Sequence, residues 1–127
     1  MPLVKVEVTE GYCKESLMRI KNTIMDAVVE VLQLPKEDRN IRLIEYSGDM
    51  FEMNPPYKLL IEICMFAGRS VHTKKLLYRT IVDDLCTTGL MKKEEIFIVL
   101  NEQPLENWGI RGGVPANEID LGFKVDL

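Results

Sequence analysis

DAVVEVLQLPKEDRNIRLIE at residues 26–45 and DDLCTTGLMKKEEIFIVLNE at residues 83–102 decide how this chain folds. Overlaid without a gap, they match Asp26 with Asp83, Lys36-Glu37 with Lys93-Glu94, Ile41 with Ile98, Leu43 with Leu100 and Glu45 with Glu102. Upstream, the same offset of 57 brings Gly11 onto Gly68, Thr23 onto Thr80 and Ile24 onto Ile81. Agreement in identity, register and order across both halves marks an internal duplication.

Each copy reads strand, helix, strand. In residues 2–8, Val4, Val6 and Val8 alternate with Leu3, Lys5 and Glu7, the period of a half-buried strand. Leu17, Ile20, Ile24, Val28 and Val31 then recur at helical spacing to about residue 33. Leu34-Pro35 ends that helix, because proline disfavours helical geometry in the residue before it. Ile41, Leu43 and the run to Tyr46 make the second strand. In the second copy KLLIEICMF (58–66) is a more continuously apolar strand, Leu77, Ile81 and Leu85 mark a helix ending near Gly89, and IFIVLNE (96–102) closes the unit.

Parallel strands joined through a helix require a right-handed crossover. The expected fold is therefore α+β in two layers: duplicated βαβ units forming a four-stranded sheet with two helices on one face. We expect one domain over residues 1–127, with repeat one at about 2–47, repeat two at about 58–103 and a tail at 104–127. Two helices leave the opposite sheet face uncovered, and the apolar strand 58–66 argues for burial on both sides. A homo-oligomer packed through its sheets follows.

Composition excludes several classes. With 46% apolar and 28% charged residues the 127-residue chain is typical of soluble globular proteins. No apolar run approaches the about 18 residues that span a bilayer. Lys5, Glu7 and Glu10 interrupt the start, so it does not read as a signal peptide, and a cytoplasmic location is the expectation. A net charge of −4 argues against nucleic acid and acidic membranes as partners. Cys13, Cys64 and Cys86 form no C-x-x-C pair and His72 is the single histidine, so neither a metal site nor a histidine triad is expected.

An N-terminal Pro2, TEG at 9–11, AGRS at 67–70 followed by Lys74-Lys75, and NWGIRGG at 107–113 together resemble the tautomerase superfamily. The resemblance spans essentially the whole chain, in the long form that fuses two βαβ units, like malonate semialdehyde decarboxylase, whereas 4-oxalocrotonate tautomerase is a single unit. It implies the macrophage migration inhibitory factor fold, a homotrimer, no cofactor and a small carboxylate substrate.

The resemblance also implies roles. Once Met1 is removed, Pro2 carries a secondary amine able to act as general base or acid on an enol or 2-oxo acid. An apolar pocket and a nearby cation both lower the pKa of such an amine toward the operating pH. Leu3, Phe66, Trp108 and Ile110 are the candidates for that apolar surrounding. Arg69, between Gly68 and Ser70 at the head of the second helix, matches the family's carboxylate-binding arginine. Asp38 matches the decarboxylase aspartate that works with the proline. Trp108, Ile110 and Arg111 are candidates for substrate binding. Two positions depart from the pattern: Tyr12 stands where short tautomerases have arginine, and Ala67 where the decarboxylase has one. A single anchoring arginine suits a monocarboxylate better than a dicarboxylate.

Three readings remain open at this point: a Pro2-dependent tautomerase, a decarboxylase or hydratase variant of that chemistry, and a non-catalytic trimer that binds carboxylates. An RNA-binding βαββαβ module shares the element order, but it needs a basic surface and aromatics on its central strands. Phe66 is the only aromatic in 58–66.

Overall fold

A computed structural model describes residues 2–127. Met1, whose removal the reading of Pro2 requires, lies outside the described residues. The chain runs β1 (Leu3–Thr9), α1 (Lys14–Leu32), β2 (Ile41–Tyr46), β3 (Leu59–Phe66), α2 (Val71–Thr87) and β4 (Ile96–Gln103), then a small hairpin of β5 (Gly109–Ile110) and β6 (Val114–Pro115). The main sheet has the order β2-β1-β3-β4. Within each repeat the strands are parallel, Val6 opposite Leu43 and Ile61 opposite Ile98, while β1 and β3 are antiparallel with Val6 opposite Ile61. Two βαβ units are thus joined back to back, with α1 packed along α2 on one face.

The core follows the two periodicities. Val4, Val6, Val8, Ile61, Ile63 and Met65 from the central strands meet Ile20, Ile24, Val28, Leu77, Ile81 and Leu85 from the helices, all inaccessible to solvent. The helix ends are set locally. Cys13 caps α1 by accepting the Ser16 N–H, and Ser70 caps α2 by accepting the Thr73 N–H at 3.2 Å. α1 ends before the proline: Gln33 turns left-handed at φ 53°, and Leu34 N–H reaches back to Val29 O at 3.0 Å.

The duplication is visible in the backbone. Gly11 and Gly68 take φ values of 127° and 133°, a region open to glycine, just ahead of the two caps. Glu10 N–H donates to Tyr46 O at 2.8 Å, and its repeat-mate Ala67 N–H donates to Gln103 O at 2.9 Å. Each strand pair is closed at the same point.

One expectation differs in the protomer. Burial along β3 alternates, with Leu60, Glu62 and Cys64 half-buried on the face away from the helices. The reason is geometric: the helices cover only one side. That open face mixes Leu3, Ile44, Phe97 and Val99 with the ion pairs Lys5–Glu62 (3.2 Å) and Lys5–Glu7 (3.8 Å), and the Tyr46 hydroxyl donates to Glu7. Among the described residues no helix is long and apolar enough to cross a membrane.

Leu77→Ala should cost about 2–5 kcal/mol in chemical denaturation, because the helix–sheet core cannot close over the void. A pH-dependent test lies at the turn into β4. The Glu95 carboxylate accepts the Lys92 N–H at 2.7 Å and pairs with Lys58 at 3.0 Å, which together hold its pKa below the ordinary carboxylate value. The contribution to stability is therefore complete above the unfolded-state pKa and lost as pH falls through the folded one. Glu95→Gln should lower Tm by roughly 1–3 °C at pH 7, and the gap from the parent should close in acid.

Candidate active site

Strand direction decides which residues can meet. Since β1 is parallel to β2 and antiparallel to β3, the heads of β1 and β2 lie at the same end of the sheet as the tails of β3 and β4. Pro2 precedes β1, Asp38 lies in the turn ahead of β2, Arg69 follows β3 and Trp108 follows β4. Four separated segments therefore converge on one sheet end. Tyr12 follows β1 and lies at the opposite end, its hydroxyl donating to Leu90 O at 3.3 Å. Burial, with Glu95 adding to it, raises the Tyr12 pKa above the ordinary phenol value.

Pro2 is buried, one residue before Leu3, which sits opposite Cys64. Asp38 is tied to the same strand head. Its N–H donates to Pro35 O at 3.0 Å, Asn40 Nδ2 donates to its Oδ1 at 3.1 Å, and Asn40 O accepts the Val4 N–H at 2.9 Å.

A cavity of about 260 Å³ opens beside this turn, lined by Pro35, Glu37, Asp38, Arg111, Leu121 and Phe123. Arg111 holds φ 50°, a left-handed conformation uncommon for a residue with a side chain, at the tip of the β5–β6 hairpin. Its guanidinium donates to Asp120 O at 3.3 Å.

Arg69 does not line that cavity. It is only 5% exposed, donating through one terminal nitrogen to Phe66 O at 3.1 Å. Its Nε and other terminal nitrogen are buried with no partner among the described residues. Burial pushes its pKa below the ordinary guanidinium value, and nearby Glu102 opposes the shift. Glu102 is itself paired with Lys74 at 2.5 Å.

Aromatic packing joins the two halves of the region. Phe66 meets Trp108 edge-on, ring centres 4.8 Å apart, and stacks on Phe123 at 6.1 Å. Trp108 is buried, its indole N–H donating to Gln103 O at 3.4 Å. Ile110, Leu121 and Val125 pack on this second cluster, which is separate from the main core. The sheet end thus holds Asp38 and Arg111 on the cavity, Trp108 and Ile110 in the aromatic cluster, and Arg69 bonded to the Phe66 backbone. Leu3 is 39% exposed, on the open sheet face.

Phe123 and Leu121 are wall residues that motif reading passed over. A signal was available: Leu121, Phe123, Val125 and Leu127 alternate with Gly122, Lys124 and Asp126, the pattern of an extended segment with one face buried.

A duplicated βαβ sheet with these groups gathered at one end defines a two-repeat protein of the tautomerase fold, and known structures share it. FG41 malonate semialdehyde decarboxylase inhibited by 3-bromopropiolate is 24% identical, covers 89% of this chain and 92% of its own, and superposes with a TM-score of 0.77. Pt0534 inactivated by 2-oxo-3-pentynoate is 23% identical, with 93% and 99% covered and a TM-score of 0.82. The probable tautomerase YusQ of Bacillus subtilis (strain 168) is 25% identical over 121 residues, 89% of this chain and 95% of that protein. The tautomerase enzyme family model matches residues 38–111, more than half of the chain. The chain belongs to the tautomerase family.

Arg111→Gly should relieve the left-handed strain at the hairpin tip. Its bond to Asp120 O is long and exposed, so little opposes the gain. We expect stability to rise by about 0.5–1 kcal/mol, measured as the denaturation midpoint.

Proposed function

We propose that this chain is a cofactor-independent tautomerase acting on a small enol carboxylate or 2-oxo acid through the amine of Pro2. Loss of Met1 frees that amine. In its neutral form it takes the enol O–H proton. The cation formed then returns a proton to the adjacent carbon as the carbonyl forms, so no external acid, base or cofactor is consumed. Burial of Pro2 favours the neutral amine over its cation, which keeps the base available near neutral pH.

Arg69 is the carboxylate ligand, and this is the observation that carries the reading: a guanidinium 5% exposed, two of its nitrogens unmatched, at the sheet end where Pro2 lies. A buried cationic donor left unpaired is costly, and a bound carboxylate supplies the fork of acceptors it lacks. Trp108 and Ile110 hold the apolar wall behind Phe66 and Phe123, and Arg111 lines the cavity as a substrate-binding residue for the ligand's enol or keto oxygen. Asp38, on the same cavity, orients the reacting group or activates water.

That placement of Asp38 also favours a second reading, a decarboxylase or hydratase variant of the same chemistry, in which water is the reactant. A third, a trimer that binds carboxylates without turnover, shares every feature except the reactive amine. The open sheet face supports a homotrimer under all three: Leu3, Ile44 and Phe97 are each more than a third exposed there, beside charges already paired within the protomer. A cytoplasmic setting fits the small-acid chemistry.

Ketonisation of phenylenolpyruvate, followed by ultraviolet absorbance, tests the proposal on untagged protein whose mass shows Met1 absent. Pro2→Ala should lower kcat by about 10²–10⁴-fold. The parent rate should rise with pH as the amine loses its proton. Equal rates in both proteins would eliminate Pro2 as the base. Saturable carboxylate binding with no turnover in either would leave the binding trimer.

A further inference from the structure

Residues 121–127 leave the cavity and run across the head of α2. Phe123 stacks on Phe66, and Val125 follows over Gly68, where an added Cβ would come within 2.9 Å of Val125 O. Only glycine allows the segment this close. A Leu127 backbone oxygen then accepts from the Ser70 hydroxyl at 2.9 Å and from the Thr73 hydroxyl at 2.5 Å. These are the two hydroxyl donors at the head of α2, the positive end of a 17-residue helix.

The local charges complete the picture. Arg69 and Lys74 are opposed by Glu102, which pairs with Lys74. Lys74 is thus already paired, and the guanidinium is left with a buried Nε and a terminal nitrogen that have no partner among the described residues. One carboxylate satisfies it. A second acid group on the same ligand, directed toward α2, would meet the lone pairs of the Leu127 oxygen and hydroxyls already in use. It would be desolvated without a partner.

We infer that the segment Phe123–Leu127 is the specificity determinant of the carboxylate site: it occupies the second anion position at the head of α2 and restricts the ligand to a monocarboxylate. The inference rests on Arg69 as carboxylate ligand and is independent of whether Pro2 performs chemistry.

Propionate and succinate differ by one carboxylate and neither can be turned over by enol chemistry. Trp108, the only tryptophan, touches Phe66, which in turn stacks on Phe123, so its emission reports on this wall. Titration at constant ionic strength should show the intact chain binding propionate at least about tenfold more tightly than succinate. A chain ending at Lys124 should gain about tenfold or more for succinate, with propionate changed by less than about threefold. Full-length Val125→Gly, which loosens the segment, should shift in the same direction by a smaller factor. Far-ultraviolet circular dichroism and Tm check that both variants fold.

An unchanged preference in the shortened chain, or an equal gain for both ligands, overturns the inference and leaves the segment as a simple cover. Arg69→Gln separates the premise from the inference. If it binds propionate as well as the parent, or if no protein binds either ligand, the assignment of Arg69 fails and the inference falls with it.

Discussion

The antiparallel contact between β1 and β3 is the constraint on which the rest of the structure depends. Each repeat alone is two parallel strands and one helix, with a strand edge open on either side. Joining the first strands of the two repeats, with Val6 opposite Ile61 and Lys5 opposite Glu62, closes one edge of each. Antiparallel pairing also relates the repeats by a twofold rotation normal to the sheet. Both crossovers stay right-handed, both helices fall on one face, and their apolar stripes meet over a shared layer of valine and isoleucine. The same rotation puts the start of one repeat beside the end of the other. That is why residues as distant in the chain as Pro2, Asp38, Arg69 and Trp108 gather at one sheet end. A parallel β1–β3 contact would send Pro2 and Arg69 to opposite ends.

A duplicated unit starts with two equal copies of every position, and the differences between mates show where the copies have taken separate work. Cys13 and Ser70 do the same job, each accepting the N–H three residues on. Tyr12 and Arg69 do not. The tyrosine packs against the Leu90 loop and closes repeat one structurally, whereas the arginine carries buried donors with no partner among the described residues. Asp38 and Glu95 are mates as well, each closing a turn onto the carbonyl three residues back at 3.0 Å. Glu95 spends its carboxylate on Lys92 and Lys58, while Asp38 lines the cavity. The cavity and the buried guanidinium lie at one of the two related ends, whereas the groups at the other end are paired with one another.

The βαβ duplication was legible because it is written three times over, in strand alternation, helical stripes and identities at one offset. Helix limits were less so. Pro35 marked the end of α1 correctly to within three residues, but the turn is made by Gln33, a residue with no special propensity for a left-handed conformation. The start at Lys14 depends on a cysteine cap, which is not among the favoured capping residues. The β5–β6 hairpin could not be read, since strands of two residues have no period. At the candidate site, Pro2, Asp38 and Arg69 were singled out by resemblance to a family, while the burial of Arg69 and its unpartnered nitrogens among the described residues could be seen only in the folded chain. The cavity wall was missed because Leu121 and Phe123 belong to a segment without regular structure, whose alternation gains meaning only once Phe66 is known to face it.

The second apolar cluster explains why the tail is needed at all. Phe66, Trp108 and Ala116 are buried outside the helix–sheet core, with Phe123 and Val125 as partners. Without Phe123 above all, Phe66 and Trp108 would stand in water at the sheet end, beside Arg69, which bonds the Phe66 carbonyl. Packing Phe123 onto Phe66 removes water from this group. Burial of the aromatics is favourable by about 1.5–3 kcal/mol for a side chain of that size. Withdrawing water from the arginine opposes this, by about 1–3 kcal/mol for each buried donor left unmet, and more where the donor is charged. The two effects are of comparable size, so aromatic packing holds a guanidinium in an unsatisfied state that a carboxylate can relieve. The site is kept dry by the same contacts that leave it short of one acceptor pair.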